Sequence, residues 1–339
     1  MMRLPYFAFH APTSVREAAD LIAASPDDTM LVAGGTDLLP NMKRRQQVPK
    51  TLVSLRRVAE LTQMTNGNGV TLGAGMTLSA LVKDARLREG YGALWQAASS
   101  VATPHLRNMG TLGGNLCLDT RCNYYDQNYE WRKAIDFCMK KDGAICWVAT
   151  GSPKCLAVSS TDTAPALLAL NATVVLVSAA ATREIPLGDL YRNDGIDYLT
   201  RRRDEILTTV RLPRLDGWRS TYWKLRRRGA FDFPVLSVAA AAKIGSDRTV
   251  EAARLVLGAV SSRPIEASTA AAALVGRPLT DEGIAHAAQL AAKPAKPMDN
   301  TDFNLLWRKR VMRDFVTYAL RELRGDDVRE LRWKLSRQS

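Results

Sequence analysis

Apolar positions recur every three to four residues along SVREAADLIAAS, 14–25, so that Val15, Ala18, Ala19 and Ile22 share one face. Ser14 followed by Glu17 supplies a capping box, and the stretch predicts a helix. A strand at Met30–Ala33 follows, then a Gly34-Gly35 turn and a helix from about Asp37. Leu52–Leu55 predicts a further strand. LTQMTNGNGVTLGAG, 61–75, reads as a hairpin turning at Asn66-Gly67. Residues 77–101 are mostly helical in pattern, and 101–121 is loop-like and punctuated by glycine.

The longest apolar run, APALLALNATVVLVSAAA at 164–181, is divided by Pro165 and Asn171, and its second half is β-branched. It predicts a short helix and then a buried strand, and no membrane span. A boundary is expected within 185–200. Beyond it, 206–213, 221–244 and 251–260 predict strands, 267–275 and 281–292 alanine-rich helices, and 303–323 a long basic amphipathic helix after a connector at Pro294 and Pro297. The fold class expected is α+β, with one domain over 1–187, a second α+β sheet-and-helix domain over 188–325 and a basic tail at 326–339. A chain of 339 residues is long enough for two such cores.

Charge changes this picture little. The formal net charge is +13, with triplets at 43–45, 201–203 and 226–228. They are dispersed, and no zinc-finger or RNA-recognition motif accompanies them, so solvated faces or contacts with acidic partner subunits are expected and nucleic acid is not. The N-terminal stretch MMRLPYFAFHAPT lacks an apolar h-region, which makes the cytoplasm the default compartment.

Cysteine changes it more. All five cysteines lie in 117–155: Cys117, Cys122, Cys138, Cys146 and Cys155. Without a secretory leader a disulfide framework is disfavoured. Structural zinc is expected from paired C-x2–4-C knuckles, whereas the gaps after Cys122 are x15, x7 and x8. An iron–sulfur cluster needs four thiolates and tolerates wide spacing. Incidental buried thiols fit poorly with such clustering. Iron–sulfur and zinc both stay open on spacing, the latter as part of a basic, zinc-stabilised binding module. The surrounding Tyr124, Tyr125, Tyr129, Trp131, Phe137 and Trp147 could shield a cluster or simply pack the segment.

Two glycine stretches, LVAGGTDLLP at 31–40 and TPHLRNMGTLGGNL at 103–116, let a backbone approach phosphate closely. Two on one chain suggest a diphosphate gripped from both sides. Neither is a Rossmann or P-loop fingerprint. The three histidines, His10, His105 and His286, form no metal pair, and no nucleophile elbow occurs.

AGGTDLLP at 33–40 and TLGGNL at 111–116 resemble the two flavin signatures of the FAD-binding subunits of molybdenum hydroxylases, the xanthine and carbon monoxide dehydrogenase family. STDTAPALLALNATV at 160–174, ILTTVRLP and the Lys224, Arg228, Asp232 spacing extend the resemblance over nearly the full length. It implies a two-subdomain FAD-binding fold of the PCMH type followed by a C-terminal flavoprotein domain. Ala33, Gly34, Gly35, Thr36 and Asp37 are then expected to hold the FAD pyrophosphate from one side, and Thr111, Gly113, Gly114 and Asn115 from the other. Asp162 is expected to bond the ribityl chain, with a plain helix N-cap as its alternative, and Lys224 to lie near the isoalloxazine. The cysteine segment, an insertion at 117–158, resembles that of the β subunit of 4-hydroxybenzoyl-CoA reductases. This implies a [4Fe–4S] cluster on Cys122, Cys138, Cys146 and Cys155, with Cys117 packing near the flavin.

The partners implied are a molybdopterin-containing large subunit and a [2Fe–2S] small subunit in a dimer of heterotrimers, with a ferredoxin-like electron donor or acceptor. The chain is expected to relay electrons and to carry no catalytic acid or base, while a partner removes a phenolic hydroxyl from an aromatic acyl-CoA. An aldehyde or N-heterocycle dehydrogenase of the same family is the alternative.

Overall fold

The computed structural model describes residues 3–336. Strands β1 (Ala8–His10), β2 (Thr29–Val32) and β3 (Thr51–Ser54) form a parallel sheet in the order β1-β3-β2. The helix Val15–Ala23 joins β1 to β2, with Ala18, Ala19 and Ile22 buried as its periodicity requires. The Ser14 hydroxyl accepts from the Glu17 N–H at 3.1 Å, and Glu17 accepts in return from the Thr13 N–H at 2.8 Å.

A second, antiparallel sheet holds β4 (Met64–Gly67), β5 (Gly69–Gly73), β6 (Thr173–Val177), β7 (Thr182–Pro186) and β8 (Ile206–Leu212), ordered β4-β5-β8-β6-β7. Its hairpin turns one or two residues later than the Asn66-Gly67 signal suggests. Gly67 pairs with Gly69, leaving Asn68 at the tip, and Gly69 takes φ +114°. Gly69 has to be glycine, because a Cβ there would run into the Leu212 carbonyl of β8. Strand β8 sits at the centre of this sheet, although the expected boundary at 187/188 places it in the second domain. Register is set by partners distant in sequence, so a strand on the far side of a linker can close an earlier sheet.

The third sheet is an antiparallel meander of β9 (Trp218–Leu225), β10 (Leu236–Ile244), β11 (Val250–Gly258) and β12 (Ile265–Glu266). Both faces of β10 are covered. Ala239 and Ala241 join the core of the first domain, whereas Val238, Ala240 and Ala242 join a core with the helices Asp281–Ala291 and Leu305–Arg324. Small side chains on alternating faces let helices approach a sheet from two sides, which accounts for the alanine run. The stretch expected to be a basic tail includes a helix, Arg329–Ser336, whose Leu331 and Leu335 pack on the second core. The loop-like 101–121 contains two short helices, Pro104–Arg107 and Leu112–Leu116. Among the described residues no helix is long and apolar enough to cross a membrane.

Candidate functional site

The glycine stretches meet face to face. After β2 the chain turns through Ala33–Asp37, with Gly35 in the left-handed region at φ +71°. A Cβ on Gly34 would run into the Met109 carbonyl of the other stretch, so this glycine permits loop to touch loop. No hydrogen bond among the described residues uses the N–H groups of Gly34, Gly35, Thr36 or Asp37. Consecutive unpartnered amides around a left-handed residue form a concavity suited to an anion.

The second stretch is more fully engaged with protein. Thr111 caps the helix Leu112–Leu116, its Oγ1 accepting from the Gly114 N–H at 3.1 Å. The Gly113 N–H donates to the Ala74 carbonyl at 2.7 Å, and a Cβ on Gly113 would press on Ala74 at 2.8 Å. Buried Asn115 receives three hydrogen bonds at its Oδ1, from the Thr161 hydroxyl at 2.8 Å and from the Thr163 hydroxyl and N–H at 2.7 and 3.0 Å. Gly113 and Asn115 therefore fasten the loop to its neighbours. Gly114 alone keeps an open side, where an added Cβ would meet only Thr111 Oγ1, at 3.0 Å. Open amides on one loop and a bare Cα on the other fit a diphosphate.

Asp162 and Lys224 come together across the two domains. Asp162 precedes the helix Thr163–Ala169 but its carboxylate makes no capping hydrogen bond. Its Oδ1 accepts from the Tyr222 hydroxyl at 2.7 Å and its Oδ2 from the Lys224 ammonium at 3.0 Å. Both side chains are at most 4% exposed. Burial lowers the Lys224 pKa, and Asp162 works against that shift. Lys224 and Arg226 both donate to the Ser100 carbonyl, at 3.0 and 3.2 Å. Burial, and after it the positive charge of neighbouring Arg226, lower the pKa of Arg107.

The cysteine segment leaves and rejoins the fold at one point, where Arg121 and Val158 exchange two backbone hydrogen bonds of 2.8 and 2.7 Å. Cys122, Cys138, Cys146 and Cys155 are all buried, and all are free thiols. Burial pushes Cys122 up to about 12, and the neighbouring Cys155 and Cys138 add to the shift. Burial likewise pushes Cys155 up to about 11, with Cys146 and Cys138 adding to it. Cys122, Cys138 and Cys155 pack in one cluster, and Cys146 neighbours Cys155. Cys117 stands apart, half-buried beside Arg201 and Tyr191.

No group of three or more His, Cys, Asp or Glu among the described residues is placed to hold a metal ion. This holds for a zinc site and for the expected four-thiolate cluster site alike, so it favours neither. One observation fits an anionic guest. Arg132 is fully buried, its three guanidinium nitrogens lack hydrogen-bond partners, and its nearest carboxylate, Asp142, lies 3.6 Å away. The Ala157 N–H also donates to Cys155 Sγ at 3.4 Å.

Tyr222, and the partners of Lys140 and Arg121, were not foreseen. Tyr222 could have been, since it stands two positions before Lys224 on one face of β9. Lys140 is a buried ammonium bonded to Asp119 Oδ1 at 2.8 Å, Thr120 Oγ1 at 2.7 Å and the Gly195 carbonyl at 2.6 Å. Arg121 forms an ion pair with Asp37 and reaches Asn41 Oδ1 at 3.2 Å and Asp126 Oδ1 at 3.1 Å. Both belong to the basic set of the cysteine segment, Arg121, Arg132, Lys133, Lys140 and Lys141, but the sequence does not say which groups they pair with.

Residues 5–215 match the model of the FAD binding domain in molybdopterin dehydrogenase, and 220–323 that of the CO dehydrogenase flavoprotein C-terminal domain. The chain belongs to the FAD-binding subunits of the molybdenum hydroxylases. It is 29% identical over 326 residues to the aldehyde oxidoreductase FAD-binding subunit of Escherichia coli K12, covering 92% of this chain and 98% of that protein. It is 28% identical over 284 residues to the nicotinate dehydrogenase FAD-subunit of Eubacterium barkeri, covering 81% and 82%. A chain of the carbon monoxide dehydrogenase of Hydrogenophaga pseudoflava superposes with TM-score 0.77 at 26% identity, covering 95% of this chain and 98% of that one. The expected fold is thus that of the family, and the chain is an FAD-binding oxidoreductase subunit. None of these descriptions names an iron–sulfur centre on this subunit or a benzoyl-CoA substrate. The family boundary after residue 215 agrees with β8 lying in the first domain.

Proposed function

We propose that this FAD-binding subunit also carries a [4Fe–4S] cluster on Cys122, Cys138, Cys146 and Cys155, and that it passes electrons between a soluble carrier and a molybdenum-containing partner. The observation that carries the reading is the gathering of four buried free thiols on one excursion rooted beside the FAD loops, with Cys122, Cys138 and Cys155 packed in one cluster. Bound FAD would supply exchange of one or two electrons, and a cluster would supply one-electron steps. The chain's own residues bind and tune. Gly34–Asp37 and Gly114 would hold the diphosphate. Asp162 would reach the ribityl chain, and Lys224 would set positive charge near the isoalloxazine. Buried Lys140, which lies close to Cys155, would favour the more reduced state of a neighbouring cluster.

In this reading the partners are a molybdopterin-containing large subunit and a [2Fe–2S] small subunit in a dimer of heterotrimers, and the carrier is ferredoxin-like. The reaction proposed for the complex is reductive dehydroxylation of an aromatic acyl-CoA, on the strength of the cysteine segment. A second reading, oxidation of an aldehyde or N-heterocycle, is favoured by the relatives' names. Anaerobic purification with iron, sulfide and flavin analysis and EPR of the reduced sample tests the cofactor content. One FAD with four iron and four sulfide per chain is expected, whereas zinc without sulfide would defeat the cluster reading. Assaying the purified complex with 4-hydroxybenzoyl-CoA and with an aldehyde then separates the two reactions.

A further inference from the structure

Arg121 is the last residue before the cysteine segment, and its backbone closes the neck of that segment against Val158. Its side chain, only 10% exposed, points the other way along the chain's history, to the FAD loop. The guanidinium forms an ion pair with Asp37, the residue that ends the loop of open amides. It also bonds Asn41 Oδ1 at 3.2 Å on the helix that this loop begins. The same Nη1 that bonds Asn41 also pairs with Asp126 Oδ1 at 3.1 Å, while Nη2 faces Asp37. The other oxygen of Asp126 accepts from the Cys122 N–H at 3.3 Å, which fixes the turn that presents Cys122. A shorter second tie runs in parallel, from Gln46 Nε2 to the Tyr125 carbonyl at 2.5 Å.

We infer that Arg121 is a positioning residue that couples occupancy of the FAD diphosphate loop to the order of the Cys122 turn. The inference rests on the reading of Gly34–Asp37 as the diphosphate cradle. Asp37 brings a carboxylate to the edge of a loop meant for an anion, and repulsion would oppose binding there. Arg121 neutralises it. A guanidinium can fork between two carboxylates, so the same group holds Asp126. Once FAD fixes the loop, Asp37 and Arg121 are held, and ordering the Cys122 turn costs less. Two sites that share an ordered element in this way show positive coupling.

The test uses iron-free full-length chain, prepared by chelation, and follows alkylation of Cys122 by mass spectrometry with and without FAD. In the wild-type chain FAD is expected to slow alkylation by roughly ten-fold, within the usual range of coupling between sites. Asp126→Asn is expected to bind FAD as the wild type does while the ratio falls to about one. Arg121→Gln is expected to weaken FAD binding and abolish the ratio. Arg121→Lys, which keeps the charge beside Asp37 but not the fork, is expected to recover FAD affinity without the ratio. An unchanged ratio in Asp126→Asn, or no effect of FAD on the wild type, would overturn the coupling. A wild-type chain that binds no FAD would instead defeat the cradle reading, and would be seen before any thiol is labelled. Absence of iron in the purified protein would defeat the cluster reading while leaving the alkylation ratio to decide on Arg121.

Discussion

The Asp162 carboxylate and the Lys224 ammonium stand 3.0 Å apart in the interior, one from each domain, with the Tyr222 hydroxyl on the second carboxylate oxygen. The pair fastens the helix Thr163–Ala169 of the first domain to β9 of the second. A buried pair is costly to break from one side, because the survivor keeps its desolvation penalty without its partner. Asp162→Ala is therefore expected to lose about 3–5 kcal/mol of stability. The double variant Asp162→Ala, Lys224→Met should lose much less than the sum of the two single changes, because each single change strands a charge. Urea unfolding of the four proteins of this cycle gives the comparison, and additive losses would refute the coupling.

The two loop glycines predict different outcomes. Gly34→Ala places a Cβ against the Met109 carbonyl and should force the loops apart, lowering both thermal stability and FAD content. Gly114→Ala meets only Thr111 Oγ1 and should keep a near-wild-type melting temperature while losing FAD affinity, because the added methyl stands where the diphosphate is proposed to lie. Flavin fluorescence titration and a melting curve on each variant check this. Wild-type affinity in Gly114→Ala would place the diphosphate elsewhere.

Serine substitutions separate the cysteines. Cys138→Ser should remove iron and sulfide and keep FAD bound, with an affinity reduced to the extent that Arg121 links the sites. Cys117→Ser should keep the full iron content, since Cys117 lies beside Arg201 and Tyr191 rather than among the other thiols. Metal analysis of the two variants decides it, and loss of iron in Cys117→Ser would exchange it for one of the four.

Glu205 supplies a pH dependence outside the cofactor sites. Its carboxylate is 1% exposed and accepts from Arg183 Nε at 2.7 Å, from Arg183 Nη2 at 2.9 Å and from the Arg202 N–H at 2.7 Å. Burial pushes its pKa up, but these donors outweigh burial and hold it below the usual glutamate value. A pKa lower in the folded than in the unfolded chain gives stability that is present above about pH 4.3 and is lost as pH falls through the folded value. Glu205→Gln should therefore lower stability at pH 7 and flatten the acid limb below about pH 4.3 relative to wild type. Urea midpoints measured from pH 7 to pH 3 report both effects. Parallel acid limbs in the two proteins would show that Glu205 does not contribute.

Arg308 is a buried cation whose partners are all carbonyl oxygens, of Val235 at 3.0 Å, Met298 at 2.9 Å and Ala259 at 2.6 Å. Burial pushes its pKa down to about 10. Arg308→Ala should leave three buried acceptors unsatisfied at about 1–3 kcal/mol each, an upper bound where water enters. Denaturation of this variant with intact FAD content would mark the contribution as structural. A loss below about 1 kcal/mol would mean that the acceptors find other donors.

The sequence by itself determined the local features that depend on neighbours in the chain. The 3.6-residue periodicity and capping box of 14–25, the strand-turn-helix at 30–43, the helix and strand of 163–177 and the long helix ending near 324 all appear where the pattern places them. These are fixed by backbone geometry and by which face must be buried. The two glycine signatures and the gathering of every thiol into one segment were equally visible, because chemistry constrains residue type. What only the tertiary structure decided is which distant groups meet. Asp162 has the look of a helix cap, yet its oxygens are taken by Tyr222 and Lys224 from another domain. Gly34 has the look of a phosphate glycine, yet it is the Met109 carbonyl that requires its bare Cα. Strand β8 lies past the expected boundary and still completes the antiparallel sheet of the first domain, and Arg121 bridges Asp37 and Asp126, partners that its place in the basic cysteine segment does not indicate. Such pairings are set by burial and charge compensation across the fold, and periodicity carries no record of them.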